Sequence, residues 1–131
     1  MIAEDSSRQH TVLVVDDDRA MGQLLQRNLE DRDTRVVKAV TGLEGITILN
    51  KARVDLVLLD IRLPDFSGWG ILSLLRLTEP LQHIPVIVLT GEPPNNALLA
   101  QFKPDYYMQK PFDIRDLTVR VKRAMGLGAK E

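Results

Sequence analysis

Cysteine is absent from this 131-residue chain, which excludes disulfides and thiolate metal sites and fits a reducing cytoplasm. Aromatic side chains are scarce, at 5% of the sequence. No apolar stretch approaches the roughly 18–20 residues that a membrane span needs. The polar start, MIAEDSSRQH, carries no apolar signal region. Charge of one sign is missing as well: 17 basic against 18 acidic residues leave a net charge of −1. No field of that size recruits nucleic acid or an anionic membrane, so neither is expected as a partner. What the chain does have is aliphatic bulk. Hydrophobic residues make up 44% of it, enough for one core in one domain. We expect a flexible lead over residues 1–10, a domain over 11–126 and a short tail over 127–131.

Five short apolar runs punctuate that domain: TVLVV (11–15), TRVVKA (34–39), VDLVLL (54–59), PVIVL (85–89) and DYYMQ (105–109). Most are nearly continuous and rich in Val, Ile and Leu, the pattern of strands covered on both faces of a parallel sheet. Segments of helical period lie between them. Residues 19–31 align Met21, Leu24, Leu25 and Leu29 on one stripe behind Asp18, a ready N-cap. Residues 42–51 follow Thr41 with Glu44 at capping-box spacing. Residues 68–77 carry Trp69, Leu72 and Leu75, and residues 114–125 follow Asp113 and stop at Gly126 and Gly128. Between 91 and 104, Pro93, Pro94 and Pro104 leave room for about two turns around NNALLAQF. The predicted fold is α/β: a doubly wound, five-stranded parallel sheet of flavodoxin-like order 2-1-3-4-5, with a shortened fourth helix.

Four of the five runs end on chemistry. The first ends on Asp16, Asp17 and Asp18, the third on Asp60, the fourth on Thr90, and the fifth on Lys110 followed by Pro111. Parallel strands deliver their C-terminal ends to one sheet edge, the edge where such folds place ligands. Three carboxylates brought together repel, and a hard divalent cation with oxygen ligands relieves them; Mg2+ suits such a site. Asp18 is expected to cap its helix instead of binding the ion. A carboxylate beside a divalent cation and an ammonium can also attack phosphorus, which makes Asp60 a candidate nucleophile. Thr90 Oγ and the Lys110 ammonium would then hold the phosphoryl oxygens.

The segments VLVVDDD, LVLLDIRLPDFSG, VIVLTG and YYMQKPF, in that order, resemble the receiver domain of bacterial two-component response regulators. Separations of 43 residues from Asp17 to Asp60 and 30 from Asp60 to Thr90 sit well with that family. The resemblance covers about residues 11–125. It implies that Asp60 accepts phosphate from a sensor histidine kinase or a phosphotransfer protein. It implies that Asp17 and Asp60 bind Mg2+ directly (Mn2+ as a substitute), that Asp16 acts more through water, and that the Arg62 carbonyl completes the shell. Thr90 and Tyr107 become the switch pair, Lys110 the phosphate partner, and Lys110–Pro111 a cis bond. Gly91 would leave room for the phosphate, while Pro64 and Gly68 shape the loop after Asp60. A downstream protein target, or an output domain outside these residues, would read the change, and a phosphorylation-dependent dimer is a further expectation.

The chain departs from the family pattern in two places. Only 20 residues separate Thr90 from Lys110, about two fewer than usual, and Lys103-Pro104 precedes the fifth strand. The face around the fourth helix should therefore be altered. Arg62 and Glu92, two residues beyond Asp60 and Thr90, are expected to pair over the phosphoryl site and restrict attacking water. Two other readings remain open. One is a haloacid dehalogenase-like phosphatase with Asp16 as nucleophile and Asp18 as its partner acid. The other is a phosphate-independent pseudo-receiver that serves only as an interaction module.

Overall fold

The computed structural model describes residues 9–127. Five strands and five helices alternate: β1 (His10–Val15), α1 (Arg19–Leu29), β2 (Thr34–Ala39), α2 (Gly42–Lys51), β3 (Leu56–Leu59), α3 (Gly68–Leu77), β4 (Val86–Thr90), α4 (Asn96–Phe102), β5 (Tyr106–Gln109) and α5 (Ile114–Ala124). A 3-10 turn, Leu81–His83, lies between α3 and β4. All strand pairings are parallel and the order is β2-β1-β3-β4-β5, as expected.

Alternation along the strands divides the core in two. Val12, Val14, Val36, Leu56, Leu58, Ile87, Leu89 and Met108 face α1 and α5, where Leu25, Leu29, Leu117 and Val121 meet them. Leu13, Val15, Val57, Leu59 and Val86 face the other way, onto Leu49 of α2 and Ile71, Leu72 and Leu75 of α3. Central strands buried on both faces can carry no polar alternation, which is why their sequence reads as unbroken aliphatic runs.

The helix starts follow local chemistry. Asp18 Oδ1 accepts from Met21 N at 3.2 Å, and Asp113 Oδ1 from Arg115 N at 2.9 Å, each satisfying an orphan donor of a first turn. Thr41 Oγ1 accepts from Glu44 N, while the Glu44 carboxylate reaches one residue past the expected partner, to Val40 N at 2.7 Å. The N-terminus of α2 has a second anchor far away in sequence: Asp65 accepts from Gly42 N at 2.8 Å and Leu43 N at 3.0 Å. At the far end of the chain, Gly126 sits at φ +78, where only glycine is unstrained, and α5 stops.

Several boundaries differ from the sequence reading by one or two residues, three of them at strand entries. His10 belongs to β1 and not to the lead, because its N–H donates to Asp33 O at 2.8 Å. β3 begins at Leu56 and not at Val54; the preceding Asp55 accepts from Thr11 N at 2.7 Å and so ties the strand's entry to β1. β5 begins at Tyr106, after an Asp105 that accepts from Val86 N at 2.8 Å and from Arg76 at 2.7 Å. Residues 1–8 of the expected lead and residues 128–131 of the expected tail, Gly128 included, lie outside the described residues. Among the described residues no helix is long and apolar enough to cross a membrane.

Candidate functional site

The C-terminal ends of β1, β3, β4 and β5 meet at one edge because each continues the ladder by one bond. Asp16 N donates to Ala39 O, Asp60 N to Val15 O, and Lys110 N to Thr90 O, at 3.0, 3.0 and 2.8 Å. The ladder thereby fixes where the side chains of Asp16, Asp60 and Lys110 leave the sheet. Asp16 and Asp60 are buried, Asp17 is exposed, and Thr90, the last residue of β4, has no exposed surface.

The Lys110 ammonium bridges the two buried acids, 2.7 Å from Asp16 Oδ2 and 3.1 Å from Asp60 Oδ2. Their remaining oxygens take backbone donors: Asp16 Oδ1 accepts from Asp18 N at 2.9 Å, and Asp60 Oδ1 from Arg62 N at 3.1 Å. Desolvation raises the pKa of Asp16, against the pull of Lys110. Burial disfavours the Lys110 ammonium too, but its hydrogen bond and charge contact with Asp16, together with Asp60, outweigh that and raise its pKa. Lys110 is therefore a fixed cation here.

Asp16, Asp17 and Asp60 each place a carboxylate oxygen within 4.8 Å of the others. Three carboxylates face one ammonium, so negative charge is left over in a partly desolvated cleft. The donor set holds oxygen alone, without histidine or cysteine. Both properties fit a hard cation such as Mg2+, or Mn2+ in its place, and not a metal that prefers nitrogen or sulfur ligands. Both Asp16 oxygens are already engaged, whereas Asp17 stands at the solvent side of the cluster.

Arg62 Nε stands 3.2 Å from Glu92 Oε2, so the two residues expected to pair do so. Both side chains are well exposed, at 76% and 40%. Glu92 N donates to Thr90 Oγ1 at a long 3.4 Å. A Cβ built on Gly91 would meet nothing within 4 Å, so there is open space beside Thr90. The Lys110–Pro111 bond is cis.

Tyr107 does not pack on the fifth helix as a sheet-edge ring. Its neighbour holds that place instead: Tyr106 lies under Arg120 of α5, 3.8 Å from guanidinium carbon to ring centre. Tyr107 takes the opposite face, where its hydroxyl donates to Glu92 O at 2.8 Å. Burial pushes its phenol pKa up, and the charges of Glu92 and Asp60 add to that.

The sequence reading missed the importance of contacts behind Asp60. A Cβ on Gly68 would lie 2.3 Å from Asp60 O and 2.7 Å from Ile61 Cα. The first turn of α3 thus presses directly on the backbone that carries Asp60. The run PDFSG held the available signal, since Ser67 caps α3 and Asp65 caps α2.

The family model described as "Response regulator receiver domain" matches residues 12–122. The DNA-binding dual master transcriptional regulator RpaA of Synechocystis is 34% identical over 113 residues, 85% of this chain and 47% of that protein. Transcriptional regulatory protein CusR of Escherichia coli K12 is 32% identical over 120 residues, 90% of this chain and 52% of that one. The chain spans about half the length of these relatives. Among solved structures, the CheY-like receiver domain protein of Methanospirillum hungatei superposes with a TM-score of 0.82 at 29% identity, over 91% of this chain and 95% of that one. The BeF3-activated DrrB receiver domain gives 0.78 at 29%, over 91% and 99%. The chain belongs to the response regulator receiver domain family. As such it is a signalling domain of a two-component system.

Proposed function

We propose that this domain is a phosphorylation-activated switch whose phosphoacceptor is Asp60. The observation that carries the reading is the Lys110 ammonium, 2.7 Å from Asp16 and 3.1 Å from Asp60, beside an Asp17 carboxylate in the same cluster. It supports a site in which the Asp60 carboxylate lies beside an ammonium and a candidate cation seat, placed to act as a nucleophile.

Asp17 and Asp60, with the Arg62 carbonyl, would hold Mg2+, and Asp16 would act on it through water. Once bound, the ion neutralises charge that builds on the phosphoryl oxygens. One Asp60 carboxylate oxygen attacks phosphorus of a phosphohistidine in line with the P–N bond. That bond breaks as the O–P bond forms, and the departing imidazole nitrogen keeps the electron pair. Lys110 shifts from bridging two carboxylates to pairing with a phosphoryl oxygen, and Thr90 Oγ donates to another. Hydrolysis reverses the charge change when water attacks the acyl phosphate, and the Arg62–Glu92 pair stands over that approach.

The phosphodonor would be a sensor histidine kinase or a phosphotransfer protein in the cytoplasm. The reader would be a protein target or an output domain beyond these residues, as the DNA-binding regulator RpaA and the transcriptional regulatory protein CusR suggest. The phosphatase reading loses support because its second acid, Asp18, caps α1.

The test is intact mass after incubation with Mg2+ and acetyl phosphate. A labile phosphoryl adduct on the wild type, absent from Asp60→Asn, is the expected result. An adduct that survives the substitution sinks the assignment of Asp60.

A further inference from the structure

The chain has one tryptophan, two tyrosines and three phenylalanines, and three of these six rings form one stack. Trp69 of α3 is its centre. Its ring lies 5.2 Å from Phe102, the last residue of α4, at an interplanar angle of 23°. On its other side it lies 6.3 Å from Tyr107 of β5, at 15°. So three elements converge on Trp69, and one of them carries the expected switch residue.

Both neighbours of Trp69 are held weakly elsewhere. α4 has seven residues and none of them is buried. Phe102 packs on the second core cluster beside Trp69, which makes the stack a principal hold on that helix. Tyr107 is only half-buried, and its hydroxyl reaches the Glu92 carbonyl in the loop between β4 and α4. Trp69, by contrast, is rigidly based. Gly68 N donates to Ile61 O at 2.8 Å, and α3 has no space to shift toward Asp60. A rigid ring between two loosely held ones makes their positions interdependent.

We propose that Trp69 is a positioning residue that couples Tyr107 to α4, so that a displacement of Tyr107 is passed to the helix through the stack. The proposal rests on Asp60 phosphorylation as the event that displaces the Thr90–Glu92–Tyr107 chain of contacts. Two lines converge on Glu92 and so on Tyr107: one from Asp60 through Arg62, whose N–H donates to Asp60 Oδ1 and whose side chain pairs with Glu92, and one from Thr90, whose Oγ1 accepts from Glu92 N. Trp69 extends both lines to Phe102. Without it Tyr107 would still move, and α4 would not follow.

The experiment combines intact mass, Trp69 emission and hydrogen exchange of the α4 amides of the full chain, with and without acetyl phosphate and Mg2+. In the wild type, adduct formation should change Trp69 emission and shift α4 exchange by about two- to tenfold, the range that one aromatic pair supports. Trp69→Leu should still form the adduct and lose the phosphate-dependent change in α4. Trp69→Phe keeps a ring in the stack and should restore it, which a general loss of packing would not explain. An α4 response that persists in Trp69→Leu, or wild-type emission unchanged despite the adduct, overturns the proposal. The link is also read without phosphate. Tyr107→Leu should change Trp69 emission and speed α4 exchange about twofold or more, and an unmoved α4 overturns it. Failure of the adduct to form on Asp60 would instead count against the phosphoacceptor reading, leaving the Tyr107→Leu result to decide the link.

Discussion

Replacing Gly68 by alanine should damage the site from behind without touching any side chain in it. The added Cβ would stand 2.3 Å from Asp60 O, 2.7 Å from Ile61 Cα and 3.0 Å from Asp60 C. All three are backbone atoms, so no side chain can swing aside. Either α3 lifts off the sheet or the segment 60–61 bends. The segment is held by Asp60 N on Val15 O and by Gly68 N on Ile61 O, so either response strains the hydrogen bonds that aim Asp60. Overpacking of this kind costs about 1–3 kcal/mol. The gain in helix propensity, about 0.5–1 kcal/mol for Gly→Ala inside a helix and less at its first residue, offsets only part of that. With a urea slope of about 1.5–2 kcal/mol/M for a domain of this size, a cost of that order lowers the midpoint by roughly 0.5–2 M. Gly70, two residues on in the same helix, supplies the control. A Cβ there meets nothing within 4 Å, so Gly70→Ala should stabilise by about 0.5–1 kcal/mol. Urea denaturation of both variants, with the rate of adduct formation measured alongside, checks the pair. Equal midpoints for Gly68→Ala and wild type would refute the close approach of α3 to Asp60.

Other consequences follow from the same geometry. Lys110→Met leaves the Asp16, Asp17 and Asp60 carboxylates without their ammonium. Mg2+ should therefore raise the melting temperature of the variant more than that of wild type, and a smaller rise would contradict the charge argument. Arg62→Ala with Glu92→Ala should speed loss of the phosphoryl group several-fold. Stability should barely change, because an exposed pair is worth about 0–1 kcal/mol; an unchanged dephosphorylation rate removes the proposed shield. The Asp31 carboxyl is held below its ordinary pKa of 3.8, mainly by its hydrogen bond from Lys122 at 2.7 Å. A lowered folded pKa gives stability that is complete above about pH 5 and lost as pH falls below 3.8 through the folded value. The stability gap between wild type and Asp31→Asn should accordingly narrow on acidification. A gap that widens would reverse the sign.

The site was legible in the sequence because parallel strands leave little freedom. Once Val12–Val15, Leu56–Leu59 and Val86–Leu89 are buried on both faces, Asp16, Asp60 and Thr90 must emerge at one edge. Prolines flanking residues 95–103 shortened α4 as expected, to Asn96–Phe102. What the sequence hid depends on rotation and distance. Tyr106 and Tyr107 are adjacent, and a strand sends neighbours to opposite faces, so only the register decides which one meets α5 and which meets Trp69. The Asp65 cap of α2 joins residues 22 or 23 apart across a loop, where no local capping pattern applies. Arg76 reaches Ile84 O and Asp105, tying α3 to the entry of β5. No periodicity marks that contact. Gly68 appeared in sequence as a loop-shaping residue, while its pressure on the Asp60 carbonyl becomes visible only when α3 is docked.

The central claim is that Asp60, and not Asp16, takes the phosphoryl group. Peptide mapping of the acetyl phosphate adduct, formed with Mg2+ and trapped before hydrolysis, tests it most directly. The account predicts the modification in the peptide that contains Asp60, with none in the peptide that contains Asp16. A phosphoryl group on Asp16 would contradict it and restore the phosphatase reading. Mg2+ binding with no adduct on either residue would contradict the phosphoacceptor role itself.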